Sequence, residues 1–207
     1  MIELHNIDCM EYLATCEDNA FQLAIVDPPY GLEGRVFEGG GDRNTQCAKW
    51  KAHRNKGWDD AVPCKNYWNQ LFRVSKNQIV WGGNYFGLPR HRTFIVWDKM
   101  TYIPTMSRVE QAWTSFDSPA VMIQINSNQL DRIHPTQKPV KLYEWLLMKY
   151  AKEGDRILDT HLGSGSIAIA CHNLGFDLVG CELDTDYFNA AKKRLQQHQS
   201  QLRIPMQ

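Results

Sequence analysis

The 207-residue sequence has no apolar run long enough to cross a bilayer, and its first residues lack a basic stretch leading into an apolar one. Neither a membrane span nor a secretory leader is expected, and the chain reads as soluble and cytoplasmic. Its six cysteines, Cys9, Cys16, Cys47, Cys64, Cys171 and Cys181, include no Cys-x-x-Cys pair, and no histidine pair stands at zinc-finger spacing. That argues against a disulfide framework and a zinc finger. Cys47, His53 and Cys64 share one polar stretch, but their spacing matches no tetrahedral ligand pattern, so no metal is expected. Charge of either sign is not in excess, with 23 Lys and Arg against 23 Asp and Glu. A nucleic-acid partner therefore does not show in the sum. No internal repeat is visible, and the length suits one domain over 1–207 with one site.

What the sum hides, the distribution shows. Residues 43–57 contain Arg43, Lys49, Lys51, Arg54 and Lys56 with no acid, and Trp50 and Trp58 lie within or beside them. Bases interleaved with aromatics suit a loop that touches phosphates and stacks on nucleobases. A solvated charged loop is the competing reading. The wider segment 31–63 has no clear period, and so long a stretch in a compact domain is usually functional or mobile. It is expected to be a mobile loop that contacts a nucleic acid.

Elsewhere short apolar runs alternate with helical segments, the rhythm of an α/β sheet. The clearest strand is 23–26, a continuous apolar run of the kind buried on both faces, stopped by Asp27-Pro28-Pro29. Strands are also expected at 78–81, 93–97, 156–159 and 178–182, and helices at 10–16, 64–74, 140–150, 166–174 and 187–197. Pro139 suits a helix start, and Asp184 or Thr185 could cap the last helix.

The segment 157–166 reads as strand, glycine turn and helix start. Gly163 and Gly165 allow close backbone approach to a ligand, and the opening helix supplies free N–H groups. An ordinary turn would look the same. The next strand, however, ends at Glu182, about twenty residues on, where a carboxylate can take both hydroxyls of a ribose. A nucleoside-containing ligand is thus indicated. Ala168 stands where a dinucleotide fingerprint would have its third glycine, which counts against a nicotinamide cofactor.

Asp27-Pro28-Pro29-Tyr30 carries the chemistry. An exocyclic amine on a base is a poor nucleophile, because its lone pair is delocalised into the ring. Attack on an electrophilic methyl is helped by two acceptors on its N–H bonds. The Asp27 carboxylate and the Pro28 carbonyl supply them, consecutive prolines fix the backbone, and Tyr30 offers a face for an extruded base. A rigid strand-ending turn is the plain structural alternative.

Together, Asp27-Pro28-Pro29-Tyr30 and Asp159-x-x-x-Gly163-Ser164-Gly165 resemble the DNA amino-methyltransferases, and the order, catalytic motif first, resembles their β group. The whole set is similar to short enzymes of phages and mobile elements. The resemblance implies an S-adenosylmethionine-dependent methyltransferase fold, Rossmann-like, with a seven-stranded, mostly parallel sheet, one reversed strand and circularly ordered motifs. It implies Asp27, Pro28, Pro29 and Tyr30 as catalytic residues. Asp159, His161, Leu162, Gly163, Ser164, Gly165 and Ser166 would form the cofactor loop, Glu182 and Leu183 would meet the ribose, and Asp8 and Cys9 the adenine. Thr136 and Lys138, within His134-Pro135-Thr136-Gln137-Lys138-Pro139, would meet the methionine end, with Asp27 beside them. Trp81-Gly82-Gly83-Asn84-Tyr85 would line the pocket.

The family more often has an aromatic residue where His161 stands, and His161 is read as a loop histidine without acid–base duty. Only residues 113–133 could hold a target-recognition domain, and they are too few, so none is expected. Sequence preference would then be weak or read by 31–63 and 100–132, and Arg90-His91-Arg92 could add phosphate contacts or be a solvated turn. The expected function is adenine-N6 methylation of double-stranded DNA with S-adenosylmethionine as cofactor. Cytosine-N4 methylation is the first alternative; a non-catalytic nucleic-acid-binding module and a nicotinamide oxidoreductase belong to other classes. Members of the β group often pair, and a symmetric homodimer would enlarge the DNA face.

Overall fold

The structure is a computed structural model and describes residues 1–31, 62–102, 107–128 and 132–200. Among them eight strands form one sheet: β1 (Ile2–His5), β2 (Phe21–Val26), β3 (Ser75–Trp81), β4 (Phe94–Asp98), β5 (Val109–Thr114), β6 (Val121–Gln124), β7 (Arg156–Asp159) and β8 (Asp177–Cys181). Their order is β1-β8-β7-β2-β3-β5-β4-β6. All pairs are parallel except those of β5, which runs against β3 and β4. This is the mostly parallel sheet with one reversed strand that was expected, with eight strands where seven were expected. The five strands read from apolar runs are all present. β1 and β6 close the two edges, and each is short and partly exposed, so neither shows the continuous apolar run of an inner strand.

The helices are α1 (Cys9–Thr15), α2 (Lys65–Val74), α3 (Val140–Tyr150), α4 (Ser166–Leu174) and α5 (Thr185–Ser200). Asp8 caps α1, its Oδ1 accepting from Met10 N at 2.8 Å. Asp184, one of the two residues expected to cap α5, does so: its Oδ1 accepts from Asp186 N at 2.9 Å and Tyr187 N at 3.0 Å, and the helix runs from Thr185 rather than from Tyr187. Pro139 stands at the N-cap of α3 rather than inside its first turn.

Both faces of the sheet are covered, and the inner strands alternate between two cores. Leu23, Ile25, Ile79, Trp81, Ile157 and Leu178 join the side chains of α3, α4 and α5, whereas Ala24, Val26, Val80, Leu158 and Val179 join those of α1 and α2. From β2 the chain passes through α2 to β3, and from β7 through α4 to β8, which lies on the opposite side. The order therefore reverses between β2 and β7. In open α/β sheets a crevice forms outside the carboxyl ends of strands at such a point. Here those ends carry Asp27 and Asp159.

Candidate active site

Asp27 follows β2 directly and is met by two donors. Tyr30 Oη donates to Oδ1 at 2.6 Å, and Lys138 Nζ donates to Oδ2 at 2.5 Å. Lys138 enters from the segment preceding α3 and is almost fully buried. Its ammonium also contacts Glu110 Oε2 at 3.1 Å and lies 5.2 Å from the ring centre of the buried Trp81. Glu110, on β5, pairs through Oε1 with Lys99 Nζ at 2.6 Å. Charges thus alternate along a partly buried row from Lys99 through Glu110 and Lys138 to Asp27.

Electrostatics follow from that row. Burial disfavours the Lys138 ammonium, but Asp27 and Glu110 outweigh it and hold its pKa above the usual lysine value. Burial likewise disfavours ionised Glu110, and Lys138 and Lys99 outweigh it, so its carboxyl stays below the usual range. Both groups are charged. Tyr30 is held well above its usual pKa, by burial first and then by Asp27 and Glu110, so its hydroxyl stays a donor.

Tyr30 is also fixed by packing. Its ring stacks on Tyr85 at 4.8 Å and 17°, with Phe86 edge-on at 6.1 Å. Gly82 lies against the ring with φ +68°. Gly83 leaves no room for a Cβ against Trp113 of β5. Trp81-Gly82-Gly83-Asn84-Tyr85 is therefore the wall that seats Tyr30.

On the other side of the switch point lies the glycine turn. Asp159 is buried, and its Oδ1 accepts from His161 N at 3.0 Å. Burial first, with Asp27 and Glu182 adding to it, pushes its carboxyl up to about 8. Glu182 faces the turn: Oε2 accepts from Gly163 N at 2.7 Å and Oε1 from Asp184 N at 3.0 Å. Burial raises its pKa and these backbone donors partly offset the rise. Gly163 and Gly165 both have positive φ, and a Cβ on Gly165 would lie 3.0 Å from Ala191 Cβ. Leu162 is buried, and its N–H donates to Cys181 O at 2.9 Å, tying the turn to β8. Arg194 of α5 braces the turn, donating to Ser164 O and Ser166 Oγ at 2.9 Å each.

His161 turns inward. Its Nδ1 lies 2.9 Å from Thr160 Oγ1, whose hydroxyl also meets Tyr67 Oη at 2.7 Å, and its ring meets Tyr67 edge-on. Burial pushes its pKa down to about 4, so the ring is neutral near pH 7. His134 covers the turn from above, packed edge-on to Tyr187 at 4.4 Å and 3.8 Å from where a Cβ on Gly163 would lie. Thr136 Oγ1 meets His134 Nδ1 at 3.1 Å.

The structure thus gathers Asp27, Pro28, Pro29, Tyr30, Lys138, Asp159 and the glycine turn along the carboxyl rim of the sheet, with Glu182 after β8. Asp8 and Cys9 start α1, and Leu183 is exposed beyond Glu182. Burial pushes the Cys9 thiol up to about 12, which leaves it a thiol rather than a thiolate. Arg43, Lys49, Lys51, Arg54 and Lys56, with Cys47 and His53, lie outside the described residues. Of Arg90-His91-Arg92, Arg92 pairs with Asp117 at 2.6 Å and His91 packs on Trp113, while Arg90 is exposed.

Sequence reasoning missed Glu110 and Lys99, and it did not foresee the ion pair of Lys138 with Asp27. One signal was available. In Val109-Glu110-Gln111-Ala112-Trp113-Thr114, Glu110 shares its strand face with Ala112 and Thr114, both buried, and an acid on an inward face implies a buried cation.

Fold and site together define an α/β protein with a carboxylate-rich, nucleoside-type crevice beside a rigid Asp-Pro-Pro-Tyr corner. The chain belongs to the DNA methylase family, whose sequence profile matches residues 49–193. It is 38% identical to the Type II methyltransferase M.HpaI of Haemophilus parainfluenzae, in a match covering 91% of this chain and 72% of that protein. With the Type II methyltransferase M2.DpnII of Streptococcus pneumoniae the identity is 29%, over 71% of this chain and 52% of that protein. The chain thus spans about half the length of M2.DpnII, as it does of a second curated relative from Lactococcus lactis. Among solved structures, the M1.HpyAVI-SAM complex superposes with a TM-score of 0.61 at 21% identity, covering 94% of this chain and 100% of that one. PvuII DNA methyltransferase, described as cytosine-N4-specific, superposes with a TM-score of 0.63 at 14% identity, covering 93% and 86%. At these identities the likeness is one of fold.

Proposed function

We propose that the chain is an S-adenosylmethionine-dependent DNA methyltransferase that acts on an exocyclic amine, with adenine N6 as the target. The observation that carries the reading is the apposition, at one switch point, of Asp27 in its proline corner and the Asp159–Glu182 carboxylates around the glycine turn.

The residues fit that cofactor. Asp159 is buried beside the charge of Asp27 and Glu182, and its raised pKa marks a place short of positive charge. A cationic nucleoside relieves this, and an anionic pyrophosphate aggravates it. The same carboxylates therefore argue against a nicotinamide dinucleotide. In this reading Asp159 holds the ligand's ammonium, Glu182 its ribose hydroxyls and Asp8 its adenine, while Gly163 and Gly165 admit it to the backbone. When bound, the cofactor supplies an electrophilic sulfonium methyl.

The chain's own residues do the rest. The Asp27 carboxylate and the Pro28 carbonyl accept the two N–H bonds of the target amine, raising the density on its nitrogen. Tyr30 and the aromatic wall of Tyr85 and Phe86 receive the flipped base. The amine loses its proton after transfer, so no strong base is needed. DNA is held by the basic stretch of Arg43, Lys49, Lys51, Arg54 and Lys56.

The test is transfer of labelled methyl from S-adenosylmethionine to unmethylated DNA by the full chain and by Asp27→Ala, with the product nucleoside identified by mass. N6-methyladenine from the intact chain alone is the expected product. N4-methylcytosine would move the target to cytosine, and no transfer to any DNA would overturn the enzymatic reading.

A further inference from the structure

Lys138 poses an electrostatic problem for the chemistry just described. The target amine acquires positive charge as it takes the methyl, and the Asp27 carboxylate is there to offset it. Yet an ammonium lies 2.5 Å from that carboxylate, at Oδ2. Two opposite charges in contact largely cancel at a distance, and in a buried setting the cancellation is poorly screened by water. Asp27 paired with Lys138 alone would present little net negative charge to the developing cation. Both oxygens of Asp27 already have a donor, so the carboxylate helps the amine only if its field survives.

Glu110 changes that sum. Its Oε2 lies 3.1 Å from the same ammonium, and its other oxygen is anchored by Lys99 at 2.6 Å. Lys99 and Asp27 are exposed to nearly the same extent, 17% and 16% of their side chains, and Lys138 only 2%, so water screens both ends of the row more than the ammonium between the two carboxylates. Lys138 is thereby shared between two carboxylates, and the second offsets the charge that the ammonium brings to Asp27.

We propose that Glu110 is a positioning residue for methyl transfer: by holding and compensating the Lys138 ammonium, it keeps Asp27 both oriented and effectively anionic toward the target amine. This rests on the methyltransferase reading given above. Glu110 touches neither base nor cofactor in this account and acts through Lys138. It also lies on the one reversed strand, β5, which gives that strand a part in the site.

Removing the Lys138 charge should repair the loss of the Glu110 charge. Glu110→Gln leaves Lys138 uncompensated, whereas Lys138→Met with Glu110→Gln restores the wild-type charge sum at Asp27. Single-turnover methyl transfer is expected to fall about 10–100-fold in Glu110→Gln and to recover at least about threefold in the double variant. Glu110→Asp should retain more activity than Glu110→Gln. A second readout needs no turnover. By calorimetry, Glu110→Gln should weaken S-adenosylmethionine, which carries a sulfonium charge, by about 3–10-fold relative to S-adenosylhomocysteine, which does not, and the double variant should restore the ratio. Equal weakening of both ligands, or a double variant as slow as the single one, overturns the inference and makes Glu110 structural. If the unmodified chain methylates no DNA, the methyltransferase reading fails and the inference falls with it; a normal wild-type rate with an unimpaired Glu110→Gln sinks the inference alone.

Discussion

The ring of Tyr30 lies so close to Gly82 that a Cβ on that glycine would fall 2.3 Å from Tyr30 Cε1 and 2.6 Å from Cζ. No side chain fits there, and Gly82 has φ +68°, a backbone conformation that also disfavours one. Gly82→Ala is therefore expected to displace Tyr30 and break its bond to Asp27. Methyl transfer should fall by more than about tenfold, and stability should drop by about 1–3 kcal/mol from combined overpacking and backbone strain. Steady-state rates and thermal melts check both. An alanine variant with wild-type rate and melting temperature would show that the wall is not needed to seat the tyrosine.

Asp159 ties ligand binding to pH. Its carboxyl is held at about 8 in the ligand-free protein, against an ordinary value of 3.8. A group raised on folding contributes stability that is complete below the lower value and is lost as pH rises through the higher one. The ligand-free protein should lose stability through Asp159 between pH ~4 and pH ~8. Asp159→Asn should flatten this slope and raise the melting temperature at pH ~8 by about 2–8 °C, while binding S-adenosylmethionine far less well. Wild-type binding near neutral pH should release a proton, because the ligand's ammonium stabilises the ionised form. Calorimetry in buffers of different ionisation enthalpy reads that proton directly.

His161 has the opposite sign. Burial lowers it to about 4 from 6.5, so folding expels its proton. Its contribution is present above the higher value and is lost as pH falls from ~6.5 to ~4. His161→Phe should remove this acid-side loss in pH-dependent melts. It should also leave the shape of the rate–pH profile unchanged between pH ~6 and ~8, because a ring that is neutral throughout that range adds no titration to it. A missing limb in the variant's profile would make His161 a working acid or base.

How much of this was legible in the sequence depends on whether the signal is local. The run Leu23-Ala24-Ile25-Val26 and the turn of Gly163 and Gly165 are read by neighbours in the chain, and both are found where periodicity and glycine placement put them. α3 and α4 likewise have the expected bounds. β1, β5 and β6 were not foreseen, because edge and reversed strands expose one face or one side and show no continuous apolar run. The pairing of Lys138 with Asp27 joins residues 111 apart, and Lys99, Glu110 and Lys138 meet only when β4, β5 and the approach to α3 are brought together. Such contacts follow from strand order, which local pattern does not encode.

Tyr30 separates two duties that the motif alone runs together. Its ring packs on Tyr85 and against Gly82, while its hydroxyl donates to Asp27 Oδ1 at 2.6 Å. Burial, with Asp27 and Glu110 adding to it, keeps the hydroxyl protonated at any working pH, so it serves as a donor and never as a base. Tyr30→Phe removes only the hydrogen bond, and Tyr30→Ala removes the stacking surface as well. The first should cost about 3–10-fold in methyl transfer, because Asp27 keeps Lys138 as a tether. The second should cost more than about 100-fold, because a flipped base loses its platform. Fluorescence of a 2-aminopurine placed at the target position distinguishes the two duties. Its emission on binding should be quenched by stacking in the wild type and in Tyr30→Phe, and should stay bright in Tyr30→Ala. Equal losses of rate in the two variants would assign the tyrosine's role to its hydroxyl and remove the stacking account.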